Sequence, residues 1–283
     1  MLIALIILYG VLQCVAAACI YHYGRDWKYK RIIIGSLLLC TAAWAHVVNA
    51  AILYQWCPNK YGVVLYNPIP LFVSLILSLL ALLYPPRPMR LVLYGIVCIA
   101  INFNYFGNAF YNPVRCENQW DGACCLQTTD STCAAAAAAT LLKLNGIETT
   151  EEDMKHLCLS GYRGTNLESL YYGLRSKVDS SGKLVLVSCE SCDAFLARNE
   201  PAIIYVVLDA KTNELDKRYS RDWGWTVGTA HAVVFIRKTS DGKILMADPG
   251  TGLEQWHEEG LKRLWFNVVV SIRNAPEPNF KIQ

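Results

Sequence analysis

The chain has 283 residues, of which 54% are hydrophobic and 17% charged, with a formal net charge of +3. That charge is too small and too scattered for a nucleic-acid surface, and no basic stripe interleaved with aromatics occurs. The averages combine two unlike halves: residues 1–110 carry few charges, whereas residues 115–283 have the mixed polar composition of a globular domain.

Four apolar stretches come first, at 2–20, 32–53, 69–83 and 91–106, each near the ~20 residues a bilayer crossing needs. Tyr and Trp lie near their ends, as interfacial anchors do. Residues 1–110 are therefore expected to form a transmembrane anchor of four helices. The first stretch lacks a basic start and reads as a retained span, not a cleaved signal peptide. Arg25, Lys28, Lys30 and Arg31 fill the first loop, Lys60 the second, and Arg87 and Arg90 the third. The positive-inside rule then places loops one and three in the cytoplasm, and the N-terminus and everything after residue 107 outside. Cys57, Cys116, Cys124 and Cys125 fall on that outer side. Eight of the 12 cysteines lie outside the apolar stretches, which fits a disulfide-permissive compartment.

Residues 111–121 read as a linker and 122–283 as the globular domain. Within it the patterning predicts helices at 131–145, 151–159, 166–176 and 191–198, and strands at 183–188 and 202–208. A polar loop at 209–228 follows, then strands at 231–237 and 243–248, a short helix near 258–264 and a strand at 266–272. Helices first and antiparallel strands later make the fold class α+β. There is no internal repeat and no Walker-type phosphate loop.

Three sites carry chemistry. In the first, Asp130, Ser131 and Thr132 are good N-cap residues before Cys133, and alanines 134–139 follow. Cys133 thus opens a helix, where backbone N–H groups and the macrodipole favour a thiolate. Gln127, six residues upstream, can fold back and donate to a developing oxyanion. The second site is His231, opening an apolar strand; the other four histidines lie in the membrane region (His22, His46) or in charged helical contexts (His156, His257). In the third, Asp248 ends the next strand ahead of Pro249-Gly250 and can orient the His231 ring across the hairpin. Taken singly, Cys133 is equally a disulfide cysteine, His231 a satisfied core histidine, and Asp248-Pro249-Gly250 an ordinary turn. Their weight comes from occurring together.

The order and spacing of Gln127, Cys133, His231 and Asp248 resemble the bacteriocin-processing double-glycine leader peptidases, a papain-like cysteine peptidase family. Gly164-Thr165 with Leu167 and Leu170 is similar to that family's Gly-Thr segment before its third helix, and the resemblance spans about residues 122–274. It implies a papain-like cysteine peptidase domain after four transmembrane helices. Cys133 would attack the peptide bond after a Gly-Gly pair in a leader or precursor peptide. Gln127 would donate to the oxyanion, His231 shuttle the proton and Asp248 orient His231. No metal or organic cofactor is implied. The chain departs from the family in having Ala134 where many members have Gly, and in lacking their fused transporter ATPase. The expected partners are a peptide precursor, membrane lipid and a separate exporter, and the expected location is a bacterial cell membrane with the catalytic domain outside.

The sequence leaves two other functions open. Cys189-Glu190-Ser191-Cys192 at a helix start looks like a thiol-redox motif, which makes a membrane thiol-disulfide oxidoreductase the alternative. It lacks a preceding thioredoxin-like βαβ unit, so a structural disulfide is the expected use of these cysteines. A peptidase-like binding module without catalysis is the other alternative, and the presence of all four site residues argues against it. Trp223 and Trp225, just before His231, read equally as loop packing or as an aromatic wall of a cleft. Glu151-Glu152-Asp153 read as the acidic first turn of a helix.

Overall fold

The computed structural model describes residues 2–48, 69–84, 88–110, 115–222 and 224–274. Cys57, Lys60, Arg87 and Trp223 lie outside them. The chain divides into two compact units, one holding the described residues up to 110 and the other those from 115 onward.

In the first unit the four apolar stretches form helices α1 (Leu2–Tyr23), α2 (Lys30–Val48), α3 (Ile69–Leu83) and α4 (Pro88–Phe110). The expectation of four crossings is not supported. Among the described residues one helix, over Ala4–Tyr23, is both long and apolar enough to cross a membrane. The reason is length and composition. Helix α3 has 15 residues, ~22 Å at 1.5 Å per residue, against a hydrocarbon core of ~30 Å; Tyr84 and then Pro85 and Pro86 follow it in sequence. Helix α4 carries Arg90 near its start and Asn102, Asn104 and Asn108 toward its end.

The second unit is α+β. A small hairpin of β1 (Trp120–Asp121) and β2 (Cys124–Cys125) precedes helices α5 (Cys133–Leu144), α6 (Glu151–Leu157) and α7 (Leu167–Val178). Then come β3 (Lys183–Cys189), α8 (Cys192–Arg198), β4 (Ala202–Val207), α9 (Ala210–Leu215), α10 (Arg218–Arg221), β5 (Ala230–Lys238), β6 (Ile244–Asp248), β7 (Gly252–Trp256), α11 (Glu258–Leu264) and β8 (Trp265–Asn274). Six strands form one antiparallel sheet in the order β3-β8-β4-β5-β6-β7. The helices and strands expected in this half all form, within a few residues. The loop expected at 209–228 instead contains α9 and α10. The linker expected at 111–121 is tied to the domain from Cys116 onward: the Cys116 N–H donates to Glu152 Oε2 (2.7 Å) and the Glu117 N–H to Thr128 Oγ1 (2.8 Å).

Helix α5 is the central element. Residues 134–142 are all buried, with alanines 134–139 at most 2% exposed. The helix packs on β5 and β4, on α6 and α7, and on β2. A helix covered all round needs side chains that let backbones approach closely, and the alanine run supplies them. The Thr140 hydroxyl accepts the Cys125 N–H (2.8 Å) and so fixes the β1–β2 hairpin on the helix. Ala136→Leu is expected to overpack this interface and cost at least ~1–3 kcal/mol, read as a lower urea midpoint at unchanged slope. A separate cluster built on Phe195, Ile204, Phe235, Met246 and Leu261 packs α8 and α11 against the sheet.

Candidate active site

Residues 129–132 form a tight turn before α5. The Thr132 hydroxyl donates to the Thr129 carbonyl (2.9 Å) and accepts the Thr129 N–H (3.0 Å). Thr132 is the N-cap, but its side chain makes no capping bond to the helix. The expected side-chain cap is thus replaced by a bond pointing backwards. This leaves first-turn N–H groups for Cys133, whose sulfur is stabilised as thiolate by the N–H groups of Ala134 and Ala232.

The structure brings Cys133, His231 and Asp248 together. His231 lies near the start of β5, opposite Val206 of β4, and Asp248 is the last residue of β6. Because β5 and β6 are antiparallel neighbours, the start of one meets the end of the other. His231 Nε2 lies 2.7 Å from Asp248 Oδ1. That bond leaves Nδ1 for the Cys133 thiol, with which the ring is hydrogen-bonded. Asp248 is 2% exposed, and its Oδ1 also accepts the Gly250 N–H (2.8 Å). A carboxylate fixed twice in this way sets both the ring orientation and its tautomer.

Electrostatics follow from this geometry. Burial works against ionising Cys133, but the hydrogen bond and charge of His231, with the two N–H groups, outweigh it and hold the thiol below its ordinary range. For His231, burial favours the neutral ring; Asp248 and then Cys133 override it and raise the ring well above its usual value. Both shifts favour a thiolate–imidazolium pair. Elsewhere burial pushes thiols the other way: Cys116, Cys124 and Cys125 rise to about 12, and Cys192 to about 11.

Gln127 is tied to the same turn by its backbone, its N–H donating to the Pro249 carbonyl (2.8 Å). Its side chain is not bonded to the other three residues, and Oε1 is buried without a partner. The amide is therefore not committed to holding the fold. What holds its segment is Glu151, which in sequence looks like part of an acidic first helix turn. Glu151 is fully buried and accepts both the Thr128 N–H (2.8 Å) and the Thr128 hydroxyl (2.6 Å). Helix capping falls to Thr150, whose hydroxyl accepts the Asp153 N–H (3.0 Å). A buried carboxylate serving a loop cannot be told by sequence from an exposed one at a helix start.

Trp225 packs on the site, its ring centroid 5.4 Å from that of His231. Cys189 is exposed at the end of β3 and Cys192 is buried at the start of α8, and both are free thiols. Every described cysteine is free, so the expectation of disulfides is not met among the described residues. These thiols are held instead in packed cores or at the surface. No cluster of His, Cys, Asp and Glu suited to a metal occurs among the described residues.

No family model matches the chain, and no curated protein does. Among solved structures, the chain is similar to the peptidase domain of Streptococcus ComA, a bifunctional ABC transporter involved in a quorum-sensing pathway. That similarity has a TM-score of 0.40 at 13% identity, over 54% of this chain and 96% of the other. It is also similar to a double-glycine-motif protease from an AMS/PCAT transporter, solved in complex with its leader peptide (TM-score 0.41, 13% identity, 58% of this chain and 97% of the other). A third is the peptidase domain of Streptococcus mutans ComA (TM-score 0.36, 12% identity, 53% and 98%).

Proposed function

We propose that this protein is a cysteine peptidase. The observation that carries the reading is the Cys133–His231–Asp248 arrangement, with the nucleophile on a helix N-terminus and the ring held 2.7 Å from a buried carboxylate. In the reaction the Cys133 thiolate attacks the scissile carbonyl and His231 protonates the leaving amine. His231 then takes a proton from the water that hydrolyses the thioester. Gln127 donates to the oxyanion alongside the Cys133 backbone N–H.

From the family resemblance comes a finer reading: the substrate is a leader or precursor peptide, cut after Gly-Gly. A defined mixture of synthetic peptides, some containing Gly-Gly, is incubated with wild type and Cys133→Ala, and new termini are mapped by mass. Cuts made only by the wild type support the peptidase; cuts clustered after Gly-Gly support the finer reading. Equal cutting by both proteins sinks it. The redox alternative has no support in the Cys192 thiol, which burial pushes up to about 11.

Membrane attachment belongs to the same proposal and rests on the helix over Ala4–Tyr23. The side on which the domain lies depends on the number of crossings. Four crossings place it outside, whereas the first crossing alone, with Arg25, Lys28, Lys30 and Arg31 in the cytoplasm, places it inside. A topology reporter fused after Gln283 distinguishes the two.

A further inference from the structure

A cavity of about 460 Å³ opens beside the candidate active site, with Asp248 and Trp225 in its wall. Three aromatic rings shape it. Trp225 lies 5.5 Å from Tyr219 and 6.1 Å from Trp256, centroid to centroid, with the planes tilted by 52° and 49°. All three rings also pack against the core cluster of α8, α11 and the sheet, which fixes their faces. Trp225 is shared: its ring lies against His231 and also lines the cavity, so the cavity is one ring's thickness from the nucleophile's base.

The charges in the wall are unequal. Asp216 is matched by Arg218, whose Nε lies 2.8 Å from Asp216 Oδ1. Glu254 is half-buried, and its Oε2 accepts the Trp256 indole N–H (2.6 Å). Among the described residues no lysine or arginine forms an ion pair with Glu254. Aromatic faces around a carboxylate that lacks a counter-cation make a place for a cation with an apolar stem. The stem lies along the rings, and the charged head meets ring faces and carboxylate together.

We propose that this cavity is a specificity pocket that takes a basic side chain, lysine or arginine, of the peptide substrate. The proposal rests on the peptidase reading for its substrate, but the binding itself does not depend on Cys133. The probes are n-butylguanidinium and its neutral isostere n-butylurea, titrated against the full chain and followed by tryptophan fluorescence. Butylguanidinium is expected to bind at least roughly tenfold more tightly than butylurea. Glu254→Gln keeps an acceptor for the Trp256 indole and removes the charge, and is expected to bring the two probes within about threefold of each other. Alkylation of Cys133 in this variant should match the wild type, which shows that the fold is intact. Equal binding of the two probes to the wild type overturns the proposal. In the peptide mixture, cut sites should carry lysine or arginine at one fixed position from the scissile bond. Glu254→Gln should lower the preference for these over leucine about tenfold. Cutting without such a preference overturns the substrate assignment. Discrimination between the probes with no peptide cut by the wild type sinks the peptidase reading and leaves a cation site standing.

Discussion

His231→Ala should move the ionisation of Cys133 from the acid side of its ordinary range to the basic side. In the native site burial raises the thiol, and the His231 hydrogen bond and charge more than reverse that effect. Removing the ring deletes the lowering contributions and leaves the burial. An ordinary thiol near pKa ~8.5 is only about 0.3% thiolate at pH 6, and a buried one less. The rate of alkylation by iodoacetamide at pH 6, as a fraction of each protein's own high-pH plateau, should therefore fall below the wild-type fraction, to at most about 0.3% in the variant. The fraction is the right readout, because a thiolate of lower pKa is also intrinsically less nucleophilic. The sign for the imidazole runs the other way. His231 is raised, so the pair exists from the lowered thiol pKa up to the raised ring pKa, and peptidase activity should span that window. An alkylation profile with the same inflection in wild type and variant would show that Cys133 is not activated by His231. Adducts at Cys189 or Cys192 with Cys133 silent would move the chemistry to the other thiols.

The parts of this site that are legible in sequence have local signals. Six alanines after a capping segment admit little but a close-packed helix, and the structure buries every one. A histidine ahead of Ala232, Val233, Val234 and Phe235 reads as a strand start, and Asp248-Pro249 as a strand end; antiparallel pairing then brings them together. What escaped has no periodicity to detect. The strands β1 and β2 have two residues each, and α9 and α10 have six and four. Strand β7 hides behind the Asp-Pro-Gly-Thr-Gly turn, because glycines that signal a loop also permit a hairpin. Gly252, at φ +104°, sits where an added Cβ would run into the Asp121 carboxylate. That carboxylate accepts the Leu253 N–H (2.9 Å), a contact 132 residues apart in sequence that no local pattern announces. The role of Glu151 is hidden for the same reason. Hydropathy marks all four apolar stretches alike, yet among the described residues one helix, over Ala4–Tyr23, is long and apolar enough to cross a bilayer.

Gln127→Ala should separate the oxyanion from the nucleophile. Alkylation by iodoacetamide displaces a halide at carbon and forms no oxyanion. Acylation by an activated ester, such as the p-nitrophenyl ester of N-acetyl-glycylglycine, passes through a tetrahedral intermediate that does. Loss of one preorganised donor typically costs about 10²–10³-fold in turnover. The variant is therefore expected to turn over the ester about 10²–10³-fold more slowly while alkylating Cys133 at the wild-type rate. The structure makes this clean, because the Gln127 segment is held by its backbone and its neighbour. The Gln127 N–H bonds to Pro249, and Thr128 bonds twice to Glu151, so truncating the amide removes no bond that supports the loop. Removing the Thr128 bonds instead, by Glu151→Ala, should lower ester turnover together with stability, because it leaves the part-buried Thr128 N–H without its acceptor. Equal loss of alkylation and ester turnover in Gln127→Ala would mean that Gln127 supports the position of Cys133 and does not serve the oxyanion. An unchanged ester rate would leave the backbone N–H groups at the start of α5 as the sole donors to that charge.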